Sequence, residues 1–260
     1  MTEPILVTTK EMVSTIILNR PEKRNAMNGE MMKLLLDTLN QLKQDESSRI
    51  LLFRGNGDHF CAGADIEWMK RIAKYSFHEN QQDAKLLADL MYQLYVYPKP
   101  TIALVQGAAL GGGLGLLAAC DIAIATSNAN FGFPEVKLGI AASNISPYVL
   151  AAIGERAARY YFLTGEYFDA NEAKRIGLIH RITEENTLLE TGLSLCKTIL
   201  SNSPQALTAA KQLILDVAKE KITTELSQKT ADHLASLRHS DEAQEGLHAF
   251  LEKRKPLWKW

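Results

Sequence analysis

The sequence predicts an α/β domain closed by an all-helical segment, and three observations carry that prediction. Short apolar runs such as residues 13–18 (VSTIIL) and 49–53 (RILLF) alternate with helical periodicities through the first part of the chain. Residues 99–139 join two apolar strands through a glycine-rich turn and an uncharged helix. Beyond Glu184 the pattern is helical throughout, so we expect a core over residues 1–200 and a helical segment over 201–260.

In chain order, VSTIIL reads as a β-branched strand stopped at Asn19-Arg20-Pro21, because proline donates nothing to a ladder. Asn28 can cap a helix whose apolar positions are Met31, Leu34, Leu35, Leu39 and Leu42. RILLF is a second buried strand closed by Gly55-Asn56-Gly57, and a tight loop with Gly63 leads into a helix near Asp65. The carboxylate of Asp65 suits the first-turn N–H groups there.

A helix over about 80–95 ends at YPKP, before the glycine-rich stretch. Ser146-Pro147 starts the next helix, Gly154 breaks it and Gly165 ends it. DANEAKRIG then reads as a short capped helix and LIHRIT as a brief strand. Helices are expected over 186–200, 204–219, 223–237 and 241–254.

The chain has 260 residues, 46% of them apolar, and a net charge of -1. That balance gives no broad electrostatic footprint for nucleic acid or an anionic membrane. Pro100, Gln106 and three consecutive glycines argue against a membrane span in the charge-free run 100–120. Cys61, Cys120 and Cys196 have no CxxC spacing and fit reduced thiols, and no targeting signal is evident, so a cytoplasmic location is expected.

The glycine cluster 111–115 carries no Gly-Lys-Ser/Thr triplet, and Leu116 stands where a dinucleotide fingerprint needs its third glycine. What remains is a set of backbone N–H groups at a helix N-terminus facing developing negative charge, or glycines that permit close packing. Glu135, in FGFPEVKLG, sits between proline and apolar residues, a setting that raises a carboxyl pKa and makes it a usable acid/base. No GxSxG elbow, HExxH or other metal spacing occurs, and Cys120 at the end of an apolar helix reads as core. No metal and no separate cofactor are expected.

HFCAGADI, GAALGGGLGLLAACDIAIA and FGFPEVKLG, in that order, resemble the crotonase superfamily of enoyl-CoA hydratases and isomerases. The likeness runs from LNRPEKRNAM through ERAARYYFLTGEYFDANEAKRIGLIHRI to FLEKRKP. It implies a spiral of ββα units with a C-terminal helical trimerisation segment, assembled as a homotrimer or a dimer of trimers. It implies an acyl-CoA thioester as substrate, coenzyme A being part of that substrate. The N–H groups of Ala64 and Gly112 would hold the thioester oxygen as an enolate forms. Arg24, Ala62, Asp65 and Ile66 would contact coenzyme A, and Phe250 and Lys253 would reach that of a neighbouring subunit.

The resemblance also exposes a departure. Hydratases of this kind carry one glutamate three residues after the oxyanion glycine and a second in FGxPE. Here the second is Glu135 and the first position is Gly115. A stretch that reads PGxGGTQRL in many relatives is AASNISPYVL here. One carboxylate suits a 3,2-enoyl-CoA isomerase, which shuttles a proton between two carbons. GGGxG with ISPYV looks more like bacterial methylglutaconyl-CoA hydratases, which implies hydration of a short branched or carboxylated 2-enoyl-CoA. Glu135 would then be the acid/base, with water held by Ser143, Asn144 or a carboxylate on the substrate. The 4-chlorobenzoyl-CoA dehalogenase branch shares GGGLG, but Ser143 replaces its nucleophilic aspartate and Glu135 its tryptophan. A catalytically weak acyl-CoA binder is the alternative of another class.

Overall fold

A computed structural model describes residues 3–258 of the chain. It opens with a hairpin absent from the sequence expectation: β1 (Ile5–Lys10) pairs antiparallel with β2 (Val13–Leu18), turning at Glu11 and Met12, both with positive φ. Five of the six β1 residues are exposed, so the strand offers no buried alternation to read. The Asn28 side chain accepts from the Met31 N–H at 2.9 Å and starts α1 (Gly29–Gln44), which buries Met31, Leu35, Leu39 and Leu42.

β3 (Ile50–Gly55) follows, then α2 (Ile66–Ile72) and α3 (Phe77–Tyr95). α3 starts earlier than its apolar period suggests, because Ser76 and Glu79 form a reciprocal capping box. Next come β4 (Thr101–Val105), β5 (Ala108–Leu110), α4 (Gly112–Ala119), β6 (Ile122–Thr126) and β7 (Asn130–Gly132). α5 (Ser146–Thr164) breaks at Gly154, with φ 71°, and ends at left-handed Gly165, as expected. β8 (Tyr167–Asp169), α6 (Ala170–Arg175), β9 (Arg181–Thr183) and α7 (Leu188–Leu200) complete the α/β part.

The main sheet has the order β1-β2-β3-β4-β6-β9, parallel from β2 onward, so each strand is laid beside its predecessor and the chain spirals. All five residues of β4 are buried, as a parallel strand covered on both faces requires. One face packs Ile16, Leu51 and Phe53 against α1, α3 and α4, while Leu52, Ile102, Leu104 and Ile124 pack against Cys196 and Ile199 of α7. A second sheet, β5-β7-β8, was not expected from sequence, because strands of three residues are too short to show a period.

The chain ends in α8 (Pro204–Val217), α9 (Thr224–Arg238) and α10 (Asp241–Leu251), capped by Ser203, Thr223 and Ser240. Across these three helices only Ala249 is buried, while Ile214, Leu234, Leu247 and Phe250 are exposed. Among the described residues no helix is long and apolar enough to cross a membrane.

Candidate active site

Two isolated bridges fix the backbone that builds the site. Cys61 pairs with Ala109, its N–H donating to the Ala108 carbonyl and its carbonyl accepting from Leu110, each at 3.0 Å. Met27 pairs with Ala64, the Met27 N–H donating to Gly63 at 2.7 Å and the Asp65 N–H to Met27 at 2.8 Å. The first bridge ties the 60–64 loop to the strand leading into α4, and the second leaves the Ala64 N–H without an acceptor among the described residues. The Gly112 N–H, at the first position of α4, likewise has none.

Two glycines of the cluster have distinct geometric reasons. Gly111 adopts φ 49° and ψ -122°, a conformation that side chains disfavour, and this turn lets the helix begin at Gly112. A Cβ on Gly113 would lie 2.5 Å from the Cys61 carbonyl oxygen, so the close approach of α4 to the 60–64 loop needs glycine there.

Ala64, Gly112 and Glu135 all line one cavity of about 510 Å³. Glu135 lies in a short 3-10 helix, Pro134–Leu138, that follows β7 and ends at left-handed Gly139. Its Oε1 lies 3.1 Å from where a Cβ would stand on Gly111, and its Oε2 is buried with no hydrogen-bond partner among the described residues. Burial raises its pKa above the ordinary carboxylate value. The loop rests on an aromatic cluster in which Phe133 meets Phe162 at 4.8 Å and Phe168 meets Tyr161 at 4.2 Å between ring centroids.

Gly115 does not line this cavity. It is buried, and a Cβ there would stand 2.2 Å from Ile145 Cγ2 and 3.4 Å from Met91 Sδ. The position is filled by its neighbours, so no space for a glutamate side chain exists in this packing.

The remaining expected site residues divide by place. Ala62 lines the cavity, and its N–H donates to the Arg24 carbonyl at 3.0 Å, which sets exposed Arg24 beside the same edge. Ile66 is exposed at the start of α2 and does not line the cavity. Phe250, on α10, and Lys253, just after it, do not line it either.

The Asp65 side chain is engaged within the chain: Oδ1 caps α2 at Glu67 and Trp68, and Oδ2 meets Arg20 at 2.6 Å. Burial pushes its carboxyl up, but the Trp68 N–H, the Arg20 guanidinium and the Glu67 N–H outweigh this and hold it below the ordinary value. A carboxylate lowered in the folded state stabilises at neutral pH, and that contribution is lost as pH falls through its folded pKa. Asp65→Ala would leave Arg20 unpaired where only 16% of its side chain is exposed, and is expected to cost about 3–5 kcal/mol. A thermal melt that leaves Tm unchanged would overturn this structural role.

Sequence reasoning missed Asp83, Asn80 and Met27 as cavity-lining residues. Asn80, Ala84, Leu87 and Met91 follow a helical stripe, but a polar start to such a stripe reads as solvated surface. A second cavity of about 510 Å³ is lined by Leu117, Asp121 and Lys211, among others. Its Asp121 and Lys211 pair at 2.8 Å, and His180, which also lines it, accepts through Nδ1 from the Ala123 N–H at 3.1 Å, so its carboxylate is not unpaired as Glu135 Oε2 is. Burial pushes the Cys61 and Cys196 thiols up to about 12 and raises Cys120 also, which makes all three poor nucleophiles at neutral pH.

Comparison with known proteins agrees with this geometry. The model of the family described as enoyl-CoA hydratase/isomerase matches residues 8–260. The chain belongs to that family. A putative enoyl-CoA hydratase of Thermus thermophilus is 36% identical over 249 residues, covering 94% of this chain and 96% of the relative. Among solved structures of the family, a putative enoyl-CoA hydratase/isomerase (crotonase) of Legionella pneumophila has a TM-score of 0.94 at 45% identity, covering 98% of each chain. An enoyl-CoA hydratase of Shewanella pealeana has a TM-score of 0.96 at 43% identity, covering 98% of this chain and 96% of that one. The chain is therefore an enzyme of the crotonase superfamily, with the crotonase fold.

Proposed function

We propose that this enzyme hydrates short, branched 2-enoyl thioesters of coenzyme A. The observation that carries the reading is the half-buried Glu135 carboxyl, whose Oε2 is buried without a partner, in the same cavity as two unpaired N–H groups, those of Ala64 and Gly112. The thioester oxygen would accept from both N–H groups. Water then bonds through oxygen to the β-carbon and passes a proton to Glu135, while the double-bond electrons move onto the thioester as an enolate. Glu135 returns that proton to the α-carbon, so the net change is addition of H and OH. The N–H pair supplies the larger share of the barrier reduction, about 2.7–4 kcal/mol per donor.

Ser143, which lines the cavity, can accept a hydrogen bond from the attacking water. Arg24 and Ala62 would hold the coenzyme A end at the cavity edge. Phe250 and Lys253 would serve a neighbouring subunit of a homotrimer, a reading supported by the exposed apolar residues of α8–α10.

The cavity chemistry favours uncharged acyl groups over carboxylated ones. No Lys, Arg or His lines it among the described residues, whereas Glu135 and Asp83 both do. Methylglutaconyl-CoA is accordingly expected to show a kcat/KM about tenfold below that of 3-methylcrotonyl-CoA, for want of a counter-charge. Equal or better turnover of the carboxylated thioester, followed by loss of the enoyl absorbance, would overturn this preference.

A 3,2-enoyl-CoA isomerase is the second reading, favoured by Gly115, because Ile145 and Met91 occupy the place of a second carboxylate. Turnover in oxygen-18 water decides between them. Hydration places one labelled oxygen in each product, whereas isomerisation of a 3-enoyl thioester places none. Tight binding of acyl thioesters with no turnover of either kind would make the chain a binder and overturn both.

A further inference from the structure

The α3 wall of the cavity has a hydrogen-bonding polarity of its own. Met91 packs against Gly115, and Asp83 lies eight residues earlier on α3, so it stands about 12 Å away along the helix axis. There most of the donors are engaged within the chain, one N–H of the Asn144 amide excepted. The Trp68 Nε1–H donates to Asp83 Oδ1 at 3.1 Å. The Asn80 amide donates to the carbonyls of Tyr75 and Ser76 at 3.1 and 3.2 Å, and the Asn144 amide to that of Ala84 at 2.8 Å.

A carbonyl oxygen can only accept, so the contacts fix which way each amide points and leave its oxygen free. Asp83 Oδ2 accepts from no described residue. Asp83 is half-buried, and burial raises its carboxyl above the ordinary value while the Trp68 bond partly offsets this, as for a carboxylate short of donors.

We propose that Asp83, with Asn80 and Asn144, forms an acceptor subsite that selects acyl groups carrying a hydrogen-bond donor at their distal end. The donor is a hydroxyl or an ammonium group. Trp68, Ile72 and Leu87 supply the apolar wall beside it, so the matching acyl group is a short aliphatic chain with a polar tip. The subsite deepens the hydratase reading above and rests on it for the identity of the thioester.

Binding of saturated acyl thioesters of coenzyme A, measured by calorimetry, tests the subsite without requiring turnover. The probes are five- and six-carbon acyl chains ending in hydrogen, hydroxyl, ammonium or carboxylate. A donor tip is expected to tighten Kd by at least about tenfold over the hydrogen-tipped partner at one of the two lengths, as a hydrogen bond to a charged acceptor allows. The carboxylate tip is expected to weaken it.

Asp83→Asn keeps an oxygen for the indole but presents an amide donor to the cavity, so the donor preference should fall to within about threefold. A wild-type ratio below threefold for both donors at both lengths would overturn the proposal, and so would a tenfold ratio that survives in Asp83→Asn. The wild-type series decides alone if that variant does not fold. Failure of the hydratase reading shows separately, as no turnover of 3-methylcrotonyl-CoA.

Discussion

Glu135→Gln is expected to lower kcat for a short 2-enoyl thioester by at least about 100-fold, the usual contribution of a positioned acid/base. The amide keeps the shape of the carboxyl but neither takes a proton from water nor gives one to the α-carbon. The same variant should be at least as stable as the wild-type protein at neutral pH. The reason is Oε2, which is buried and unpaired, together with a carboxyl pKa raised by burial. A carboxyl whose pKa is raised on folding favours the folded state in its protonated form, below the ordinary value of 4.5, and that benefit is lost as pH rises through the folded value.

Gln keeps a polar atom in the place of Oε2, so the gain comes only from removing a poorly solvated charge, and Tm is expected to hold or rise at neutral pH. The acid limb of the wild-type kcat/KM profile should lie above 4.5 and report Glu135. Stopped-flow rates with a thermal melt check these outcomes together. Full activity in Glu135→Gln would remove Glu135 from the mechanism.

Gly115→Glu is expected to abolish folding rather than to install a second catalytic carboxylate. Its Cβ would stand 2.2 Å from Ile145 Cγ2 and 2.9 Å from Ile145 Cβ, and its charge would enter a buried position. Overpacking alone costs about 1–3 kcal/mol, and an unpaired buried charge adds to it, enough to exhaust the stability of many domains. Adding Ile145→Ala removes the nearest clashing atom, so the double variant should recover part of the lost soluble protein. Circular dichroism melts of both test this, and a single variant that melts at the wild-type temperature would contradict the packing described.

Much of this arrangement was legible in the sequence, where residues dictate local geometry. Asn28, Gly154 and Gly165 mark real boundaries, because capping and positive φ act within a few residues. The N-terminus of α4 at Gly112 and the apolar setting of Glu135 were readable for the same reason. What the sequence hid depends on distant partners. β1 is defined by its pairing with β2, and β5, β7 and β8 by one another.

Gly115 illustrates the limit most clearly. From sequence it is a glycine in a run of glycines, and likeness to hydratases makes it a missing glutamate. Only the packing of Ile145 and Met91 shows that the space is closed. Asp83 was invisible in the opposite sense, since nothing along the chain sets it opposite the Trp68 indole fifteen residues away.

The two ends of the cavity stand on different supports. Glu135 follows directly on β7, over Phe133, Phe162 and Phe168, whereas the acyl end is walled by α3 and by residues of the 140–145 segment. The two supports meet at one backbone contact, where the Ile140 N–H donates to the Glu135 carbonyl at 3.2 Å. Transplanting the exposed turn of α3 alone between relatives should change what is accepted while leaving the acid seated, which makes that wall of the scaffold the modular one.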